Sequence, residues 1–198
     1  MASPAPARSS PLQPDDWLRA ATARLASDGV ELVRVELLAR DLGFSKGSFY
    51  WHFRDRDDLL SQLLGRWEKE EANWLEAAVE GVHSAPSRWA RFVNRCGAPE
   101  RLRLEAGIRS WARKDSAVAS RVSAIERRRT IYLDAILREI GFTPAAAAQW
   151  SELALLTYLG WVDRASRDPE FNHSGPPISE LLSDMLLAAS SKSHPVRA

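Results

Sequence analysis

Between Ser45 and Arg56 the chain sets small, basic and hydrogen-bonding side chains at a spacing suited to gripping a nucleic-acid duplex. Ser45 stands where a helix would begin, so its hydroxyl and the free backbone N–H groups beside it can bind a phosphate oxygen, with the Lys46 charge adjacent. Gly47 lacks a side chain and lets the backbone close on a base edge or a thymine methyl, while Ser48 can donate to or accept from either base type. Tyr50 and His52 carry hydrogen-bonding groups on the far side of the same helix, and Arg56 opens the next one; all three read as clamps on the phosphate backbone. Taken singly, each is an ordinary surface residue. The ordered set beside a glycine turn is what points to DNA.

Presenting such a face requires two short helices that meet at a tight turn. Leu38, Ala39 and Leu42 recur at helical spacing, Gly43 supplies a left-handed stop, and Ser45 caps the second helix at once. A helix this short cannot bury itself unaided, so Phe44, Phe49 and Phe53 are expected to anchor it in a small core. Leu18, Ala21 and Leu25 mark a helix ahead of the pair, and Leu59, Leu60, Leu63 and Trp67 mark one behind it, started by Asp57 and Asp58.

The stretch from residue 17 to 64 resembles the N-terminal domain of the TetR family of bacterial transcriptional regulators. The likeness rests on Gly43-Phe44-Ser45-Lys46-Gly47-Ser48 at the turn, on the run Phe49-Tyr50-Trp51-His52-Phe53, and on Arg56 opening the fourth helix. The resemblance implies that Lys46, Tyr50, His52 and Arg56 contact phosphates while Gly47 and Ser48 lie against bases. It also implies an effector pocket formed chiefly by the helices after the fourth. Two positions depart from the family pattern. Val33-Arg34 stands where a capping Thr or Ser is usual, and Glu36 where an Arg is frequent. Val33 cannot cap and Glu36 would repel a phosphate, whereas Arg34 can replace the missing charge from two residues earlier. Acidic side chains slightly outnumber basic ones between residues 15 and 66, so affinity is expected from charge placement and a short list of phosphate contacts.

Composition bounds the remainder. A chain of 198 residues with 45% hydrophobic content has room for a small head and a larger bundle, and a net charge of +1 excludes a general polycation. One cysteine, Cys96, excludes an internal disulfide, no apolar run is long enough to span a bilayer, and the Pro/Ser-rich start lacks the apolar core of a signal peptide. A cytoplasmic protein is expected, with a disordered leader over 1–13, a DNA-binding head over 14–64, a ligand-binding and dimerisation body over 65–190 and a frayed tail over 191–198. His52, His83, His173 and His194 are scattered, Cys96 has no recognisable base, and no phosphate loop, dinucleotide fingerprint or metal-ligand pairing is present. No enzyme activity, cofactor or metal is expected.

Helical periodicity continues to the end, so the fold class is all-α with about nine helices: a three-helix helix-turn-helix head and a C-terminal bundle. The body helices are expected over 57–80, 87–95, 99–112, 116–140, 144–165 and 178–189, with Gly81 and Pro86 marking a turn. Apolar residues broaden the helix from Pro144 beyond one stripe, so a partner must cover its second side. Trp150, Leu153, Thr157, Tyr158 and Trp161, with Leu181, Leu182 and Met185 of the last helix, are expected to pair with their copies across a two-fold axis. A homodimer also suits DNA, because two recognition helices about 34–36 Å apart read both halves of a palindromic operator. Six of the eight tryptophans lie between head and interface. Trp67, Trp74, Trp89 and Trp111, with Ile108 and Tyr132, are the candidate lining for a small apolar or aromatic effector. Glu105, Arg109 and Arg113, one helical turn apart, read as a solvated ion-pair row, and Arg127-Arg128-Arg129 as surface. The expected function is a ligand-responsive regulator, a repressor released from its operator by the effector; the competing reading is a dimeric ligand-binding or protein-interaction module whose helix-turn-helix has degenerated.

Overall fold

A computed structural model describes residues 12–80, 84–168, 171 and 177–193. Among them are nine α-helices and no strand: α1 Pro14–Asp28, α2 Val35–Leu42, α3 Lys46–Tyr50, α4 Arg56–Glu80, α5 Ala85–Cys96, α6 Pro99–Ala112, α7 Ser116–Ile140, α8 Pro144–Arg167 and α9 Ile178–Ser193. Most of the expected leader and tail, 1–11 and 194–198, lies outside the described residues.

Local chemistry sets most boundaries. Pro14 opens α1 behind Gln13, whose backbone N–H donates to the Asp16 carboxylate at 2.9 Å in a reciprocal capping box. Asp115 accepts from the backbone N–H groups of Ala117 and Val118 to start α7, and Thr143 accepts from Ala146 to start α8. Pro86 does not sit in a turn before α5. It occupies the first turn of that helix, where a missing N–H costs nothing, and Ser84 is the cap. A 3-10 turn, Val30–Leu32, intervenes between α1 and α2. Gly43 ends α2 at φ +74°, the left-handed conformation that lets the chain turn at once into α3.

Two apolar cores form. The first gathers Trp17, Leu25, Val33, Leu38, Phe49, Phe53 and Leu63 of the head, and is completed by Trp67, Ile108, Val118, Val122 and Ile125 from α4, α6 and α7. The core of the head therefore extends past residue 64 into the body. The second core joins Trp89, Phe92, Leu133, Tyr158, Trp161 and Leu182. Helix α8 packs against α6, α7 and α9.

Head and body touch most closely where α1 crosses α6. A Cβ placed on Gly107 would lie 2.5 Å from the Leu25 carbonyl oxygen, a distance real Cβ atoms do not reach. Glycine at this position lets the two backbones meet.

Candidate nucleic-acid interface

Helix α3 is held from behind by aromatic rings. Phe49 is fully buried, its ring centroid 5.3 Å from Trp17 in an edge arrangement and 5.2 Å from Phe53 in a stack. This leaves Ser45, Lys46, Gly47 and Tyr50 exposed and Ser48 half-buried. Ser45 has the extended backbone of an N-cap, but its side chain makes no capping bond, so the hydroxyl expected to close the helix is not used for that purpose.

Charges around this face are organised by short-range pairing. Lys46 Nζ donates to Glu36 Oε1 at 2.6 Å, and this bond holds the Glu36 carboxyl below its usual range. Glu36, expected to repel a phosphate, thus acts first as the partner of the lysine that would bind one. Arg34 is exposed at the N-cap of α2 and its Nε donates to the Glu31 carbonyl at 3.0 Å. Val33, which cannot cap, is fully buried in the head core, the reason an apolar residue stands there.

Two expected phosphate clamps are engaged elsewhere. Arg56 donates from Nε to the Val33 carbonyl at 2.7 Å and from Nη2 to the Val30 carbonyl at 2.5 Å, pinning the 3-10 turn to the start of α4. His52 is half-buried, with Nε2 2.9 Å from the Leu12 carbonyl, so it fastens the residues ahead of α1. Carbonyls left over by irregular backbone need donors, and these side chains supply them. Conversely Trp51, 86% exposed, and Arg54 lie on the open end of α3 and were missed by sequence reasoning. The available signal was position: a tryptophan between Tyr50 and His52, out of phase with the buried Phe49 and Phe53, has no core to enter.

The body departs further from expectation. The six residues expected to share an effector pocket are divided between the cores. Trp67 and Ile108 belong to the first with Trp111 against it, and Trp89 and Tyr132 to the second with Trp74 against it. Trp74, Phe92 and Tyr132 pack on one another with centroids 5.8–6.2 Å apart. At the expected dimer face, Tyr158, Trp161 and Leu182 point into their own core and are buried there. Trp150, Thr157 and Leu181 are half-buried, the side chain of Met185 lies outside the described residues, and Leu153 is exposed. Leu156, 55% exposed one turn from Leu153, and Ile131 on α7, 68% exposed, are the large apolar residues left uncovered on this side. Periodicity shows that two sides of α8 are apolar without showing which of them a neighbouring helix covers.

Of the two rows expected at the surface, Arg113, Arg127 and Arg128 are exposed and Arg109 pairs with Glu105, but Glu105 and Arg129 are buried in a charge cluster. Arg129 donates to both Glu105 oxygens at 2.9 Å and to Glu71 Oε2 at 2.8 Å, all three side chains being at most 2% exposed. Arg101 forks onto both oxygens of Glu71, and Arg95 reaches the same carboxylate at 3.0 Å. Burial alone would raise the Glu71 pKa, but the bonds and charges of Arg101 and Arg129 outweigh it and bring it down to about 2. Glu105 is likewise held low by Arg129 against its burial. Neighbouring Cys96 is pushed up to about 12 by burial and is inert as a thiol.

A three-helix head in which a buried aromatic cluster presents a short second helix to solvent defines a helix-turn-helix protein. The family model for bacterial regulatory proteins, tetR family, matches residues 18–63. The HTH-type transcriptional regulator AcrR of Shigella flexneri is 34% identical over 55 residues, 28% of this chain and 24% of that protein. The class A tetracycline repressor protein from transposon 1721 of Escherichia coli is 34% identical over 82 residues, 41% of this chain and 35% of that protein. The matched stretches thus span about a quarter to a third of the length of these relatives. A TetR transcription regulator from Haloarcula marismortui superposes with a TM-score of 0.71 at 17% identity, over 88% of this chain and 96% of that one. The head of this chain is a TetR-family DNA-binding domain, and the chain as a whole has the all-helical fold seen in that regulator.

Proposed function

We propose that the chain acts as a homodimeric, ligand-responsive transcriptional regulator, most simply a repressor, that grips a palindromic operator with two copies of α3. The observation that carries this reading is the outward row Ser45, Lys46, Gly47, Ser48 and Tyr50 on a helix anchored by Phe49. Lys46 and Tyr50 contact phosphates, Gly47 and Ser48 approach bases, and Trp51 and Arg54 join the phosphate contacts in place of His52 and Arg56. The copies meet through the uncovered apolar face of α8 around Leu153 and Leu156, where burial of two leucines per chain favours association.

The test is a gel shift with the full chain on DNA from upstream of its own gene. Binding that is weakened about equally at all sequences in Lys46→Ala, and altered in base preference by Ser48→Ala, is the expected result. Leu153→Glu is expected to give monomers by light scattering and to weaken operator binding with the head still folded.

A further inference from the structure

Helices α4, α6 and α7 each pass from one apolar core to the other, and each carries a buried charge at the crossing. In α4, Glu71 stands one turn after Trp67 of the first core and one turn before Leu75 of the second. In α7, Arg129 stands between Ile125 of the first core and Tyr132 and Leu133 of the second, and in α6 Glu105 stands between Leu102 of the second and Ile108 of the first. The two cores are therefore separated by a layer of three charges, each side chain at most 2% exposed. Arg129 holds both oxygens of Glu105 at 2.9 Å and one of Glu71 at 2.8 Å, so α7 is bonded to α6 and α4 at once. Its guanidinium also lies 5.5 Å from the centroid of the Tyr158 ring of α8.

The layer and the cores constrain these helices differently. Apolar contact is non-directional, so a helix sliding along an apolar neighbour exchanges one such contact for another. A slip of α6 by one turn, about 5.4 Å, would instead bring Leu102 or Ile108 opposite Arg129 and leave a buried guanidinium and a buried carboxylate unpaired. A fully paired buried ion layer adds little stability over well-packed apolar side chains, whereas stranding one of its members is costly. What it supplies is discrimination between helix registers.

We infer that the layer of Glu71, Glu105 and Arg129 is a register lock, which admits one axial setting of α4, α6 and α7 and thereby fixes the position of the head on the body. The link to the head is short. Gly107, where α6 meets the Leu25 backbone of α1, follows Glu105 by two residues, so the setting of α6 at the layer is also its setting against the head. The lock goes beyond the proposed function and does not depend on it.

The test is the distance between spin labels placed on either side of the layer, by Arg40→Cys on α2 and Arg91→Cys on α5, both exposed positions, in the full chain without DNA. Labelled chains are diluted into unlabelled ones so that each measured pair lies within one molecule. The parent is expected to give one narrow distance distribution. Glu105→Met with Arg129→Met replaces the bond between α6 and α7 by apolar contact and leaves Glu71 paired to Arg95 and Arg101. This double variant is expected to melt no lower than the parent, yet to give a distribution at least about twofold wider or split in two. Leu133→Ala, a cavity in the second core away from the layer, is expected to do the reverse, melting lower with the distribution still narrow. A double variant as narrow as the parent, a double variant that melts well below it or does not fold, or equal broadening in Leu133→Ala overturns the inference. Because no DNA is present, these results stand whether or not the gel shift succeeds.

Discussion

On the outer surface of the head, Lys46 and Glu36 pair at 2.6 Å with both side chains more than half exposed; in the body, Arg129 joins Glu71 and Glu105 at similar distances with all three almost wholly enclosed. The bond lengths are alike and the consequences are opposite. An exposed pair exchanges partners with water and salt at little cost, so Lys46 can leave Glu36 for a phosphate. A buried charge deprived of its partner cannot be rescued by solvent, so the body cluster is fixed in place. The exchangeable charges of this chain lie outside and the permanent ones within.

The largest effect that would break this contrast is expected from Arg129→Met. Glu105 would stay buried without the guanidinium that bonds both its oxygens, and Glu71 would lose one of its three arginine partners, a loss of about 3–5 kcal/mol in urea unfolding. The double change of Arg129 to Met and Glu105 to Gln should recover part of it, since one stranded charge is removed as well. A loss no greater than that of an exposed arginine would mean the cluster is solvated.

Acid should expose the same asymmetry. Glu71 titrates at about 2 in the folded chain against 4.5 ordinarily, so its stabilisation is complete above the unfolded value and is lost as pH falls from there toward 2. Its share is about 3 kcal/mol, and Glu71→Gln should flatten the stability curve in that window while lowering stability at neutral pH. Thermal melts from pH 6 to 2.5 read both.

Gly107→Ala comes next. The new methyl would meet the Leu25 carbonyl, backbone that cannot swing aside, so α1 must shift away from α6 at a cost of about 1–3 kcal/mol. Because the strain sits between head and body, Gly107→Ala should lower both stability in urea unfolding and operator affinity in fluorescence anisotropy, whereas Lys46→Ala, on the head surface alone, should leave unfolding unchanged.

The smallest effects belong to the head. Lys46→Ala should lower the slope of log affinity against log salt by about 0.9, the release of one phosphate-bound cation. Glu36→Gln removes the competitor for Lys46 and should strengthen DNA binding, most at low salt, with unfolding unchanged. Fluorescence anisotropy across a salt series distinguishes the two.

The helix-turn-helix was readable because its information is local: Gly43, Ser45 and the spacing of Phe49 and Phe53 specify a turn, a start and a buried face within a dozen residues. The buried charges left a weaker trace. Glu71 follows Trp67 by four positions and Arg129 follows Ile125 by four, each in phase with an apolar stripe, a placement a solvated residue has no reason to take. Arg127-Arg128-Arg129 looked uniform because charge was read in runs, while burial follows phase. Arg56 and His52 gave no such trace, since the carbonyls they bind belong to Val30, Val33 and Leu12, between 23 and 40 residues away.

The sequence by itself determined the all-helical class, nearly every helix and the outward face of α3, because caps, prolines and 3.6-residue periodicity act between near neighbours. Tertiary structure alone decided that Tyr158, Trp161 and Leu182 face inward, that the tryptophans are divided between two cores, and that the arginines of α5 and α6 border a cavity against α1. Which of two apolar faces is covered, and which charge is stranded without its partner, depends on helices brought together from distant parts of the chain, and no spacing within a single helix records that meeting.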